Sequence, residues 1–315
     1  MRLSVAESAG APLRVSDLSL KKDKFTLLSN VSFVLDQSEI LGVVSNRVEP
    51  VEHLFRLLLY LDKPSSGSII YFNNPMISRK TLVKRIGFYS CSMDLLNDST
   101  VSENLLLVAS MHGVPKKKAL NRVNELLSLF ETSNISGVKW FRLPLSIRRK
   151  LCFASTFIHD PSVLLLYDPF RGVPFDVALF MRNFIRTSID LGKSVIVFST
   201  VPLLIDEVCD RVIVLHNGQQ TALDHAESFV TGVGGPGMLS IHVSNFNIEA
   251  NIDTLEKMGV SWYATGEKEA MIEIDNTPEK IPKLMEFLVK KDAVVTRILS
   301  TRQHLLESAN RFMEV

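Results

Sequence analysis

The stretch VVSNRVEPVEHLF, which begins at Val43, is where this chain comes nearest to a recognisable chemistry. An apolar run, EILGVV, leads into polar residues, and an apolar stretch of helical length follows. At a junction of strand, loop and helix, backbone N–H groups and the helix N-terminus can converge on a phosphate. The residues here work against it. Pro50 has no N–H to offer. Val48 and Glu49 do not readily take glycine-like dihedrals. Glu49 and Glu52 put negative charge where phosphates would sit. Each unit-charge repulsion over a few ångströms is worth ~1 kcal/mol in water and ~4 kcal/mol at a surface dielectric. Arg47 offsets part of this and is suited to a weak anion contact.

Elsewhere the reactive residue types are scattered. Asp168 is a lone carboxylate at the end of an apolar strand, SVLLLYD, with Tyr167 rather than an acid beside it. It reads as a turn or cap residue sooner than as a base or a metal ligand. Cys91, Cys152 and Cys209 form no CxxC pair and have no histidine at ligand spacing, so no metal site is expected. Their odd, sparse count fits a reducing compartment. The 7 histidines do not cluster along the chain. The basic runs KKKALNR at Lys116 and RRK at Arg148 read as solvated helix faces. With 35 Lys+Arg against 34 Asp+Glu, the net charge of +1 gives no global pull toward nucleic acid or an anionic membrane. The first residues, MRLSVAESAGAPLRV, have no apolar core of signal-peptide length. The longest apolar runs fall far short of the roughly 20 residues that span a bilayer. A cytoplasmic protein is expected, with any membrane link made through a partner.

The elements that must position these residues alternate along the chain. NVSFVLD, EILGVV, GSIIYF, SVLLLYD, SVIVFST and RVIVLHNGQ read as strands. VEHLFRLLLYL, VSENLLLVASMHG, KKKALNRVNELLSLFE and DVALFMRNFIRTSIDLG read as helices, the last closed by Gly192. Such alternation predicts a parallel sheet covered by helices. A Gly-rich break, TGVGGPG, ends at Gly237, and the pattern changes there. Beyond it the order is strand, helix, strand, strand, helix, strand, which predicts a small ferredoxin-like module. Its second helix has Thr277 as a cap and Pro278 at the first position, and a last helix can open with a capping box from Ser300 to Gln303. Nothing in the module has catalytic spacing, so docking or dimerisation is its expected role.

From about Leu13 to Gly232 the chain resembles the ATP-binding subunit of an ABC transporter. NVSFVLDQSEILGVV resembles the strands before that family's phosphate loop. KPSSGSIIYFNN resembles the turn and strand beyond it. KRIGFYS and DSTVSENLLLVASMHGV resemble the approach to the glutamine loop and the start of the helical subdomain. FIHDPSVLLLYDP resembles the run into the second acidic motif, and VCDRVIVLHNGQ the closing strands. The C-terminal module is similar to the appendage of some exporter-type ATPases. The resemblance implies a P-loop NTPase-like ABC ATPase fold over residues 1–232, with a helical subdomain over about 92–150. It is followed by a linker at 233–237 and an α+β appendage over 238–315.

The resemblance also assigns positions, and the residues at them depart from the family. Ser45 and Pro50 stand at the phosphate-loop glycines, with Asn46 and Arg47 between them; Val51 stands at the lysine and Glu52 at the Mg²⁺-binding hydroxyl. Cys91 stands at the glutamine. Leu143, Pro144, Leu145, Ser146 and Ile147 fill the signature loop. Tyr167 holds the metal-binding Asp position, Asp168 the catalytic Glu position, Pro174 the Asp of the next loop and Val201 the switch His position. The adenine-stacking aromatic falls near Lys22. The expectation is a pseudo-ATPase without ATP or Mg²⁺. It would be a structural or regulatory subunit peripheral to the inner or plasma membrane, held by an integral membrane subunit. It would form a homodimer, or a heterodimer with a competent ABC ATPase, and bind no nucleic acid. Two alternatives stand beside it: a slow, divergent ATPase that energises an exporter, and a soluble interaction module without a transporter.

Overall fold

A computed structural model of the protein describes residues 10–45, 47–200, 205–225, 238–266, 269–275 and 280–301. The expected linker, the caps at Thr277 and Pro278, and the last helix lie outside the described residues, as do Asn46 and Val201. The chain divides into two compact units, Met1–Asp224 and His225–Val315.

In the first unit the elements run β1 (Leu13–Lys22), β2 (Phe25–Leu35), β3 (Ile40–Ser45), α1 (Val48–Leu58), β4 (Ser66–Tyr71), α2 (Arg79–Leu82) and β5 (Ile86–Ser90). They continue with α3 (Val101–Met111), α4 (Lys116–Leu129), α5 (Leu145–Ser155), β6 (Val163–Tyr167), α6 (Phe175–Asp190), β7 (Ser194–Ser199), α7 (Ile205–Val208), β8 (Arg211–His216) and β9 (Gln219–His225). The strands form one sheet in the order β4-β1-β2-β9-β8-β3-β7-β6-β5. From β8 to β5 the neighbours are parallel; β1 pairs antiparallel with β2 and β4. β3, β6 and β7 are buried at every residue, which is why they read as unbroken apolar runs. Crossovers through helices place the C-terminal ends of β3, β6 and β7 side by side, because Ser45, Tyr167 and Ser199 end these paired strands.

The sequence pattern had not marked β1 as a strand. The ladder shifts register between Val15 and Leu18, where Asp17 takes φ +48°, and this irregularity breaks the alternation that signals a strand. Helix α6 ends as expected, with Gly192 at φ +77° and its N–H on the Ile189 carbonyl.

The second unit runs β10 (Met238–Ser244), α8 (Ile252–Lys257), β11 (Ser261–Gly266), β12 (Glu269–Asp275), α9 (Lys280–Lys290) and β13 (Val294–Thr301). Its sheet is antiparallel, in the order β11-β12-β10-β13, which is the ferredoxin-like arrangement. Ile241, Val243, Ile272 and Ile274 from the sheet pack with Leu255, Leu284 and Leu288 from the helices. This unit therefore has an apolar core of its own.

Candidate functional site

The start of α1 decides what the first unit's strand ends can hold. The sequence pattern predicts a helix from Val51; the helix begins at Val48. With no glycine to hold the segment extended, Val48, Glu49 and Pro50 wind into its first turn. Pro50 fits there, because the N–H it lacks would have no partner inside the helix. Arg47 is the N-cap, in an extended conformation, and its side chain does not cap the helix. Ser45 is buried, and its Oγ accepts the Arg47 N–H at 3.2 Å. The Arg47 guanidinium donates to Asn217 Oδ1 at 3.4 Å. Glu49 and Glu52 are exposed.

Val51 is fully buried in the main apolar core, as is Leu54. One turn on, Phe55 lies 5.4 Å from the ring of Tyr167 and 5.4 Å from that of Phe198. Aromatic pairs of this kind each add roughly 0.5–1.5 kcal/mol beyond their burial. Tyr167 is 8% exposed, and burial, with Asp168 and Glu52 nearby, pushes its hydroxyl up to about 12. Cys91 packs on the same core and donates its N–H to the Tyr167 carbonyl at 3.1 Å; burial raises its thiol pKa, with Asp168 adding to the rise.

Asp168 is 1% exposed and sits at φ +46°. No acid stands beside it in the chain, but in the fold it has several partners. Oδ1 accepts from the Ser199 hydroxyl at 3.0 Å and the Thr200 N–H at 3.0 Å. Oδ2 accepts from the Thr200 hydroxyl at 3.2 Å and Arg171 at 3.2 Å. A carboxylate has about four lone-pair sites, so these bonds occupy it fully. They tie the end of β6 to the end of β7. Its partners were not legible because Arg171 lies in a loop and Ser199 and Thr200 come 31 and 32 residues later in the chain.

The structure thus brings Ser45, Arg47, Pro50, Val51, Glu52, Cys91, Tyr167 and Asp168 to one end of the sheet. Residues Leu143 to Ile147 lie at the start of α5. Leu143 is buried, Pro144 is the N-cap, Leu145 is 50% exposed, and Ser146 and Ile147 are half-buried. This turn is fastened by Asp94, which accepts from Trp140 Nε1 and from Arg148 at 3.0 Å. Pro174 is the exposed N-cap of α6, and Lys22 is exposed at the end of β1.

One cluster escaped the sequence reading. His112 and His159 stack face to face, with centroids 3.7 Å apart and planes 4° from parallel. His112 Nδ1 donates to the Val83 carbonyl at 2.7 Å, and His159 Nε2 to the Ile86 carbonyl at 2.9 Å. Burial holds His112 below its usual range and, with His112 beside it, takes His159 down to about 4. The two are 47 residues apart, so no spacing rule joins them.

No helix among the described residues is long and apolar enough to cross a membrane. No protein-family model matches the chain. The methionine import ATP-binding protein MetN 1 of Acinetobacter baylyi is 26% identical over 198 residues, 61% of this chain and 56% of that protein. The chain thus matches little more than half the length of that relative. The Nod factor export ATP-binding protein I of Burkholderia lata is 24% identical over 233 residues, 74% of this chain and 77% of that protein. Among solved structures, an ATP-binding subunit of an ABC transporter superposes with a TM-score of 0.63 at 19% identity, covering 69% of this chain and 91% of its own. The chain carries the ABC ATPase fold and is a homologue of ABC transporter ATP-binding subunits.

Proposed function

We propose that this chain is a catalytically degenerate ABC-type subunit, a structural or regulatory component of a membrane-associated transporter-like complex. The observation that carries this reading is the apolar packing of Val51 and Tyr167 at the strand ends. A Mg²⁺–triphosphate needs inward N–H groups, a lysine, a hydroxyl and free carboxylate oxygens. At those positions this chain has a proline, a buried valine, an exposed glutamate and a saturated aspartate. These residues do not fit the group, and no hydrolytic step is assigned to them.

The partners proposed are an integral membrane subunit and a second ATPase-like chain, either a copy of this one or a competent relative. The basis is kinship with subunits named for import and export. On this reading the protein is cytoplasmic and reaches the inner or plasma membrane through its partners, and 233–237 is a linker to an appendage over 238–315. The same kinship favours the second reading, a slow ATPase with a divergent site, because both relatives are named as ATP-binding.

Calorimetry of the full chain with Mg-ATP separates the two. No saturable heat in the micromolar range and no phosphate release above background are expected. An isotherm that a substitution at Ser45 or Arg47 abolishes would replace this reading with the second.

A further inference from the structure

A cleft of about 940 Å³ opens in the first unit between α4, the segment from Phe157 to Asp160, and the C-terminal half of α6. Its residues Asp160 and Lys193 come just before β6 and β7, so it lies at the N-terminal ends of these strands, away from Tyr167 and Ser199 at their C-terminal ends. Its volume falls in the range typical of small-molecule sites, roughly 300–1,000 Å³. Phe157 and Phe184 form one apolar wall, with ring centroids 4.8 Å apart and planes at 72°. Leu129 and Leu191, both lining residues, leave large apolar side chains at solvent, 56% and 73% exposed.

The polar groups of the lining are unevenly satisfied. Three cations, Lys118, Arg122 and Lys193, face two carboxylates, Glu125 and Asp160, a balance of one positive charge. Both carboxylates are already engaged. Arg122 pairs with Glu125 at 3.1 Å, and Lys193 pairs with Asp160. Lys118 is exposed and has no ion pair among the described residues. Two buried polar atoms of lining residues, Arg122 Nε and His159 Nδ1, also have no partner there. Both atoms are shut off from solvent, so the group that can reach an anion in the cleft is the exposed Lys118. Because His159 Nε2 donates to the Ile86 carbonyl, Nδ1 of the neutral ring is an acceptor.

From this geometry we propose that the cleft binds a small amphipathic organic anion, with its apolar body against Phe184, Leu129 and Leu191 and its anionic group at Lys118. The site does not depend on the nucleotide reading. Its residues belong to other elements, and it would stand if the strand ends bound ATP.

The probe is anilinonaphthalenesulfonate, an aromatic monoanion whose fluorescence rises in apolar surroundings, titrated into the full chain. One saturable site is expected, with a dissociation constant on the order of tens of micromolar for a ligand of that size. Phenylnaphthylamine, which lacks the sulfonate, should bind at least tenfold more weakly. Lys118→Glu should weaken the anion at least tenfold, and Thr187→Trp, which fills the cleft from an exposed position on α6, should remove the site. If Thr187→Trp does not fold, Lys118→Glu alone decides. Non-saturable binding, equal affinity for the charged and uncharged probes, or wild-type affinity in Lys118→Glu would overturn the proposal.

Discussion

Helices α1 and α3 are each 11 residues long, and their first turns are served in opposite ways. In α3, Thr100 accepts the Glu103 N–H while Glu103 accepts the Thr100 N–H, a complete capping box. The N–H groups of Val101 and Ser102 reach the carbonyls of Val138 and Ser136 at 3.1 and 2.9 Å. At its far end His112 is pinned to Val83 and stacked on His159. In α1 the end is held by Arg56, which makes two bonds to Asp62, but the start has no side-chain cap. The N–H groups of Val48 and Glu49 have no partner among the described residues. An uncapped helix start facing buried strand ends is where an anion would be held; here a proline and two glutamates surround it. The two helices separate what the fold requires from what nucleotide chemistry would require. Every support of α3 is internal to the chain, whereas α1 has the frame of an anion site without the groups to complete it.

The largest expected effect tests whether the α1 side is core or vacant site. Tyr167→Asp restores the acid that the family resemblance expects. It also places a carboxylate in an apolar cluster beside Asp168 and Glu52. A loss of roughly 3–5 kcal/mol is expected. Denaturant unfolding with and without Mg²⁺ reads it. A variant of wild-type stability that Mg²⁺ stabilises further would mean that the strand ends are a metal site awaiting its ligand, and the contrast with α3 would fail.

Next comes Asp168. If it clamps β6 to β7, Asp168→Ala leaves the Ser199 and Thr200 hydroxyls and the Thr200 N–H without their acceptor and should cost about 2–4 kcal/mol. Asp168→Asn should cost less, because Asn tolerates the positive φ and keeps one acceptor oxygen. Equal stability in all three chains would free Asp168 for chemistry.

The α3 side has a pH signature. His159 titrates near 4 in the folded chain against ~6.5 when unfolded. Between those values the unfolded chain binds the proton that the folded chain refuses. Stability is therefore complete above pH ~6.5 and falls as pH drops toward about 4, by up to ~3 kcal/mol. His112, also lowered, adds in the same direction. His159→Gln should flatten that part of the stability–pH curve. An unchanged slope would show that the stack does not hold α3.

These helices also show where reading the sequence works and where it stops. The buried strands β3, β6 and β7 were legible because both their faces are covered, which leaves an unbroken apolar run. α3 was legible from the apolar pattern of VSENLLLVASMHG, while its capping box at Thr100 and Glu103 was not singled out. The true start of α1 was not. Placing it at Val51 assumed that Val48 to Pro50 stayed in a loop, and only packing of Val51 against the sheet settles which turn is first. Contacts across long separations were equally hidden. Nothing in SVLLLYD announces Ser199, and nothing in MHG announces His159. The residues of the candidate site were named from sequence, but their burial and saturation come from strands that meet only in the fold.

The smallest effects bear on the helix starts themselves. Thr100→Ala should cost about 1 kcal/mol, the usual value of a lost cap. Arg47→Ser should do the reverse. A serine at the N-cap of α1 can accept the Glu49 N–H, but it has no second donor to serve, since Pro50 occupies the next position. The gain should therefore be near the low end of capping energies, about 0.5 kcal/mol. Serine is preferable to aspartate, which would add a third negative charge beside Glu49 and Glu52. The interaction lost is the exposed 3.4 Å contact of Arg47 with Asn217, worth little in solvent. Unfolding midpoints of the two variants, measured with and without Mg-ATP, complete the comparison. If the start of α1 is an ordinary uncapped helix, Arg47→Ser is stabilised equally in both conditions. If Mg-ATP raises the wild-type midpoint and Arg47→Ser removes that rise, then Arg47 and the α1 N–H groups form a working anion site. In that case the missing cap of α1 would be the mark of a ligand, and the nucleotide-free reading would fall.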